Sequence, residues 1–192
     1  MRQLIVTEFI SLDGVVQAPG GEPGYAHSGW VAEHFSDELG AYKGEEQLAT
    51  ETLVLGRTTY ESFKGAWPDR DGDMADKINT MDKYVVSTTL EQAATEDDPR
   101  WTNTTVVRSI DDIAAVRGGE GGDIIVVGSR TLSQALLTAG LVDELHLQIF
   151  PVILGSGDRL FPDDNPEKLN LELTGSKRLD NGVLLQEYAV GV

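Results

Sequence analysis

The sequence predicts an α/β protein: a mostly parallel central sheet, antiparallel strands at its C-terminal edge, and helices on both faces. Two observations predict it. Up to Ala139, short β-branched runs alternate with segments of helical period. The last third is instead rich in strand patterns and contains Asp180-Asn181-Gly182, a hairpin signal.

The elements follow in order. Residues 2–11 are apolar and β-branched and stop at the turn signal Ser11-Leu12-Asp13-Gly14. Pro19-Gly20-Gly21-Glu22-Pro23-Gly24 reads as a loop, long enough to act as a lid. Trp30 to Thr50 has helical period, with Val31, Phe35, Leu39 and Tyr42 on one face. The strand 53–56 leads into a second helix, and Asp73 to Met81 reads as a third. Tyr84-Val85-Val86-Ser87 and Thr105-Val106-Val107 are short strands, and Ser109 caps a helix near 110–117. A glycine-rich turn, 117–122, precedes the central strand Asp123 to Val127. Ser129 or Thr131 then opens a helix to about Ala139, closed by Gly140. Residues 144–154, 169–177 and 183–190 read as long strands.

Composition bounds the function. A chain of 192 residues, 40% hydrophobic and without a Pro/Ser-rich linker, fits one domain spanning 1–192. Its 32 acidic residues against 15 basic ones repel nucleic acid and anionic membrane, so neither is expected as a partner. With no cysteine, disulfides, thiol catalysis and cysteine-bound metal are excluded. His27, His34 and His146 have no metal-binding spacing, and no metal is expected. No signal-peptide layout is seen at Met1–Val6 and no stretch is long enough to span a bilayer, so a cytoplasmic protein is the expectation.

Against that acidity, three segments favour an anion. Gly56-Arg57-Thr58-Thr59, Ser87-Thr88-Thr89 and Gly128-Ser129-Arg130-Thr131 each end an apolar run in small or hydroxyl residues at a helix start or loop. Each alone is equally an ordinary capped turn. Ligands of open α/β sheets sit at the carboxyl ends of the strands, so the three together point to one extended, phosphorylated ligand. A glycine at the strand end admits a phosphate, helix N–H groups bind it, and an arginine adds a bidentate donor. Neither the dinucleotide fingerprint G-x-G-x-x-G nor a P-loop is present at these strand ends.

Gly56-Arg57-Thr58-Thr59-Tyr60-Glu61-Ser62 resembles the G-R-x-T-x-E-S segment of dihydrofolate reductases. The wider chain resembles the reductase half of bacterial riboflavin-pathway proteins, the RibD C-terminal family. Ser11-Leu12-Asp13-Gly14-Val15, the Gly56 segment, Ser87-Thr88, and Gly128-Ser129-Arg130-Thr131-Leu132 carry the likeness. Leu141 to Leu145 and Pro151-Val152-Ile153-Leu154-Gly155 complete it. The zinc-deaminase half of such proteins has no counterpart in these residues.

The resemblance implies a dihydrofolate-reductase-like fold and an NADPH-dependent oxidoreductase acting on a small heterocycle such as 5-amino-6-(5-phosphoribosylamino)uracil. Dihydrofolate reductase proper and a non-catalytic nucleotide-binding protein are the alternatives. Arg57, Ser87 and Thr88 would sit near the 2′-phosphate. Gly56, Thr58, Gly128, Ser129, Arg130 and Thr131 would hold the pyrophosphate. Phe9 and Val16 would flank the nicotinamide, and Trp30 matches a tryptophan on the substrate side. Folate enzymes carry an acid on the following helix; among Glu33, Asp37 and Glu38, spacing favours Asp37 or Glu38 as catalytic. Related reductases have a Gly-Gly pair where this chain has Val127-Gly128-Ser129. They are commonly dimers, so a homodimer is expected. Residues 142–154 read either as its interface or as a buried core strand.

Overall fold

The computed structural model describes residues 1–92, 101–161 and 168–191. Eight strands form one sheet: β1 (Leu4–Ser11), β2 (Thr52–Gly56), β3 (Asp82–Val86), β4 (Thr104–Val107), β5 (Ile124–Val127), β6 (Glu144–Phe150), β7 (Leu171–Arg178) and β8 (Leu184–Val190). Their spatial order is β4-β3-β2-β5-β1-β6-β8-β7. All neighbours from β4 through β6 are parallel. Only β6–β8 and β7–β8 are antiparallel. The predicted hairpin closes β7 onto β8, with Gly182 at φ 87. There the Gly182 N–H donates to Leu179 O at 3.1 Å.

Among the described residues, five α-helices cover the sheet: α1 (Asp37–Ala49), α2 (Arg57–Ala66), α3 (Asp73–Thr80), α4 (Ile110–Gly118) and α5 (Arg130–Thr138). Strand alternation sorts the core into two faces. Leu4, Val6, Val54, Ile124 and Val126 pack with Ile113 of α4 and Leu132 and Leu136 of α5. Their neighbours Leu53, Leu55, Val85 and Ile125 point the other way, onto Tyr60 of α2 and Ile78 of α3. Trp101, fully buried, joins that second face, with Lys83 Nζ 4.8 Å from its ring centroid. Trp67 packs against Phe63, and both border the same cluster.

Two expectations need correction. The helix predicted from Trp30 begins only at Asp37; before it lie a 3-10 turn, Ala32–His34, and an extended Phe35. Ser36 caps α1 by accepting the Leu39 N–H at 3.2 Å, and Asp37 and Glu38 follow in the first turn, where the dipole favours acids. That cap ends the apolar face early and leaves Phe35 55% exposed. The predicted strand to Leu154 ends at Phe150, because Pro151 lacks an N–H for the ladder. β6 lies between β1 and β8, so its apolarity is that of an interior strand.

The remaining signals hold to within a few residues. Ser109 and Asp112 form a reciprocal capping box at the start of α4. Asp143 is structural: it accepts from the Leu4 N–H at 2.8 Å and pairs with Arg117. Ile125, with no exposed surface, has β1 and β2 on either side of its strand. Ile125→Ala is expected to lower stability by about 2–5 kcal/mol, read as a shifted urea midpoint with an unchanged slope.

Candidate functional site

The carboxyl ends of β3, β2, β5 and β1 lie in sequence along one edge of the sheet. Here the backbone breaks regularity. Gly128 and Ser129 both adopt left-handed conformations, φ 56 and 65. Ser129 takes this conformation without glycine's freedom. The Ser129 side chain is what holds the turn: its Oγ accepts the Gly56 N–H at 2.8 Å and lies 3.0 Å from Thr59 Oγ1. A Cβ on Gly56 would stand 3.2 Å from Ser129 Cβ, which explains the glycine. The N-termini of α2 and α5 are thereby fixed side by side.

Both open on a cavity of about 670 Å³. Gly56, Arg57, Thr58, Gly128, Ser129, Arg130 and Thr131 all border it. Arg57 is exposed; its guanidinium bonds Glu61 Oε1 at 2.8 Å and Thr89 Oγ1 at 2.6 Å. Ser87 and Thr88 do not border the cavity. They form the turn against which Arg57 rests, with the buried Ser87 Oγ accepting the Leu90 N–H at 3.0 Å. Arg130 reaches Asp158 at 3.2 Å. The end of the cavity that holds these arginines suits a diphosphate: two helix N-termini, a glycine approach and two guanidinium groups.

The loop after β1 walls the opposite side, through Val16, Gln17, Ala18, Pro19 and Gly20. It is tied down. The Trp30 Nε1–H donates to Gln17 O at 2.9 Å, so Trp30 shapes the wall from behind and packs edge-on against Phe150. Asp13 is a turn aspartate: it accepts from Ser11 Oγ and from the N–H groups of Leu154 and Gly155. Partial burial works to raise its carboxyl, but these bonds outweigh it and lower the pKa to about 2.

Neither predicted acid reaches the cavity. Asp37 is exposed on the first turn of α1, and Glu38 pairs with Lys177 of β7 at 2.7 Å. Their positions at a capped helix start point them to solvent and to the sheet edge. Two buried ionisable groups, Glu8 and Lys43, do border the cavity. Sequence reasoning missed both, along with Thr7 and Gln148. A carboxylate within the apolar run Leu4–Ile10 was the one signal available.

Glu8 is buried beneath α5, and that burial pushes its carboxyl up to about 8 against the lowering influence of Ser133 and Lys43. Ser133 Oγ lies 3.0 Å from Glu8 Oε1 and 2.9 Å from Gly128 O. One hydroxyl proton cannot serve both acceptors, so a neutral Glu8 donating to Ser133 satisfies the set. On the other face of β1, Thr7 meets a buried ionic chain. Lys43 Nζ donates to Thr7 Oγ1 at 2.7 Å and touches Glu46. Glu46 also takes His146 Nδ1 at 2.8 Å, and His146 Nε2 meets Glu144 at 3.0 Å. Burial disfavours charge at Glu46 and His146, yet Lys43 and His146 lower the Glu46 pKa and the Glu46 carboxylate raises that of His146. Glu144 therefore has a specific partner in His146.

The model of the RibD C-terminal domain matches residues 2–185. The chain belongs to the RibD C-terminal domain family. Among curated relatives, the uncharacterized protein YyaP of Bacillus subtilis (strain 168) is 24% identical, with 97% of this chain and 94% of that one covered. Two solved structures share the fold. A pyrimidine reductase-like protein from Corynebacterium diphtheriae has a TM-score of 0.70 at 15% identity, covering 100% of this chain and 92% of its own. Dihydrofolate reductase from Enterococcus faecalis, complexed with NADP(H), has a TM-score of 0.62 at 18% identity, covering 99% and 97%. This RibD C-terminal domain thus has a reductase-type fold, mostly parallel with antiparallel edge strands. Among its described residues, no helix is long and apolar enough to cross a membrane.

The site makes a pH prediction. In the unfolded chain Glu8 ionises near 4.5, but in the fold it keeps its proton to about 8. Stability owed to Glu8 is therefore complete below about pH 4.5 and is lost as the pH rises through about 8. Glu8→Gln, fixed in the neutral form, is expected to flatten the fall in melting temperature across that window. An unchanged pH profile refutes the neutral assignment.

Proposed function

We propose that this protein is an NADPH-dependent reductase that adds hydride to a C=N or C=O bond of a small heterocycle. The substrate class is the ribosylated aminopyrimidine type of riboflavin synthesis. The observation that carries this reading is the pairing of the α2 and α5 N-termini on one cavity, with Arg57 at its outer end. Membership of the RibD C-terminal family supports it.

The residues fit the cofactor. Gly56, Thr58, Gly128, Ser129, Arg130 and Thr131 would hold the pyrophosphate through N–H groups and hydroxyls. Arg57, braced by the Ser87-Thr88-Thr89 turn, would take the 2′-phosphate, where an added dianion needs a charge-assisted partner. Phe9 and Val16 border the inner cavity, where they would flank the nicotinamide. The bound cofactor supplies the hydride. The chain orients the acceptor against it and excludes water.

Two alternatives are less well supported. A site for dihydrofolate would use an acid from the first turn of α1, and neither Asp37 nor Glu38 borders the cavity. A purely nucleotide-binding role leaves unexplained why Thr7, Lys43 and Gln148 carry polar atoms to the inner end. The protein is assigned to the cytoplasm as a homodimer. The outer edge of β7, with Leu171 36% and Leu173 52% exposed, is the proposed contact.

Arg57→Ala is expected to weaken NADPH binding at least about 10-fold while leaving NADH within about 2-fold, measured by nucleotide fluorescence. Equal losses for both refute the 2′-phosphate assignment. Absence of any thermal shift with NADPH refutes the cofactor. A sizing column at moderate salt is expected to return a dimer, and a monomer removes that assignment.

A further inference from the structure

Lys43 is a buried cation with an unused donor. Its side chain is 8% exposed, yet it borders the cavity beside Thr7 and Phe9, with the Phe9 ring centroid 5.5 Å from Nζ. An ammonium has three N–H donors. One goes to Thr7 Oγ1 at 2.7 Å and one to Glu46. The third has no acceptor among the described residues. Behind it runs an unbroken chain: Glu46 Oε1 to His146 Nδ1 at 2.8 Å, then His146 Nε2 to Glu144 Oε2 at 3.0 Å. Glu144 ends that chain at the surface, its side chain 34% exposed. A structural ion pair needs only Lys43 and Glu46, and apolar residues commonly replace such pairs without loss of stability. An extension through a histidine to a surface carboxylate is what stability alone does not require.

We propose that Lys43 is the proton donor of the reduction and is reloaded from solvent through Glu46, His146 and Glu144. This rests on the reductase reading above and adds the source of the proton. When hydride reaches the carbon of C=N or C=O, the electron pair of the π bond moves to the heteroatom. The Lys43 N–H bond breaks, its proton bonds that heteroatom, and its electron pair stays on Nζ. His146 passes a proton to the Glu46 carboxylate, which passes it to the Lys43 amine. Solvent at Glu144 returns one to His146. The acceptor gains one hydride and one proton, and the chain regains its starting protonation once the Glu46 carboxyl and the His146 ring turn to present their other oxygen and nitrogen. The acceptor must therefore present a hydrogen-bond acceptor to Lys43, since an ammonium offers only donors.

The test uses the full chain, NADPH or NADP⁺, and an aminopyrimidine riboside. Lys43→Arg keeps the charge, but a guanidinium does not release its proton. It is expected to bind NADPH by fluorescence, and the riboside on NADP⁺-loaded protein by calorimetry, within about 3-fold of wild type. Single-turnover NADPH oxidation is expected to fall about 100-fold or more. In Lys43→Ala, added ethylamine is expected to restore rate in proportion to its concentration. His146→Gln is expected to slow turnover at saturating riboside with KM unchanged. Oxidation by Lys43→Arg at the wild-type rate, or no rescue by ethylamine, overturns the donor assignment. So does a wild-type chain that binds NADPH but does not turn the riboside over. Full-rate His146→Gln overturns the relay. A wild-type chain that fails to bind NADPH overturns the reductase reading itself.

Discussion

The contact of Ser129 with the end of β2 is the constraint on which the site depends. Parallel strands place their carboxyl ends at one edge, but they do not by themselves align the helices that follow. Ser129 does so. It sits in a left-handed conformation after β5 and accepts the Gly56 N–H, while its carbonyl accepts the Ser133 N–H at 3.0 Å inside α5. The Gly128 N–H reaches across to Thr7 O at 3.2 Å, tying β1 into the same junction. One short turn thus fixes two strand ends, the middle of a third strand and two helix N-termini. Every group proposed to hold the dinucleotide hangs from that turn or rests against it.

The two ends of the cavity solve different electrostatic problems. At the outer end, the groups proposed to hold an anion must work within a chain of formal net charge -17. Backbone N–H groups do this well, because their partial charges are fixed in direction and bring no long side chain to be ordered. At the inner end, charges are removed from water, where an isolated ion is costly. Glu8 meets that cost by staying neutral. Lys43, Glu46 and His146 meet it by alternating in sign, so each charge lies within hydrogen-bond reach of its opposite. The sheet separates the two solutions, because Thr7 and Glu8 are consecutive on β1 and point to opposite faces.

Much of this was legible in the chain. Strand and helix order, the Ser109 cap, the Asn181-Gly182 hairpin and the three hydroxyl-bearing strand ends are local signals, set by residues a few positions apart. The misplaced start of α1 came where local signals compete. Val31 and Phe35 continue the helical period of α1, but Ser36 offers a better N-terminus and takes it. Ser87 carries the same hydroxyl signature as Ser129, yet one spends it on its own turn and the other on a neighbouring strand. Sequence spacing does not separate those two uses.

What the sequence by itself determined is therefore the class of sheet, the family, and the strand-to-helix corner of Gly56 and Arg57 that is proposed to hold an anion. Each rests on periodicity or on contiguous residues, which the backbone carries wherever it folds. Only the tertiary structure decided which polar groups meet at the cavity and directly behind it. Lys43 and Glu46 come from a helix, Thr7 and Glu8 from the first strand, and His146 and Gln148 from a strand more than a hundred positions later. Their meeting is set by the parallel pairing of β1 with β6 and by the packing of α1 across both. No local pattern encodes a contact of that range. The Gly56 corner, read from the sequence as one of three anion-favouring segments, lines in the fold the same cavity as Thr7 and Lys43.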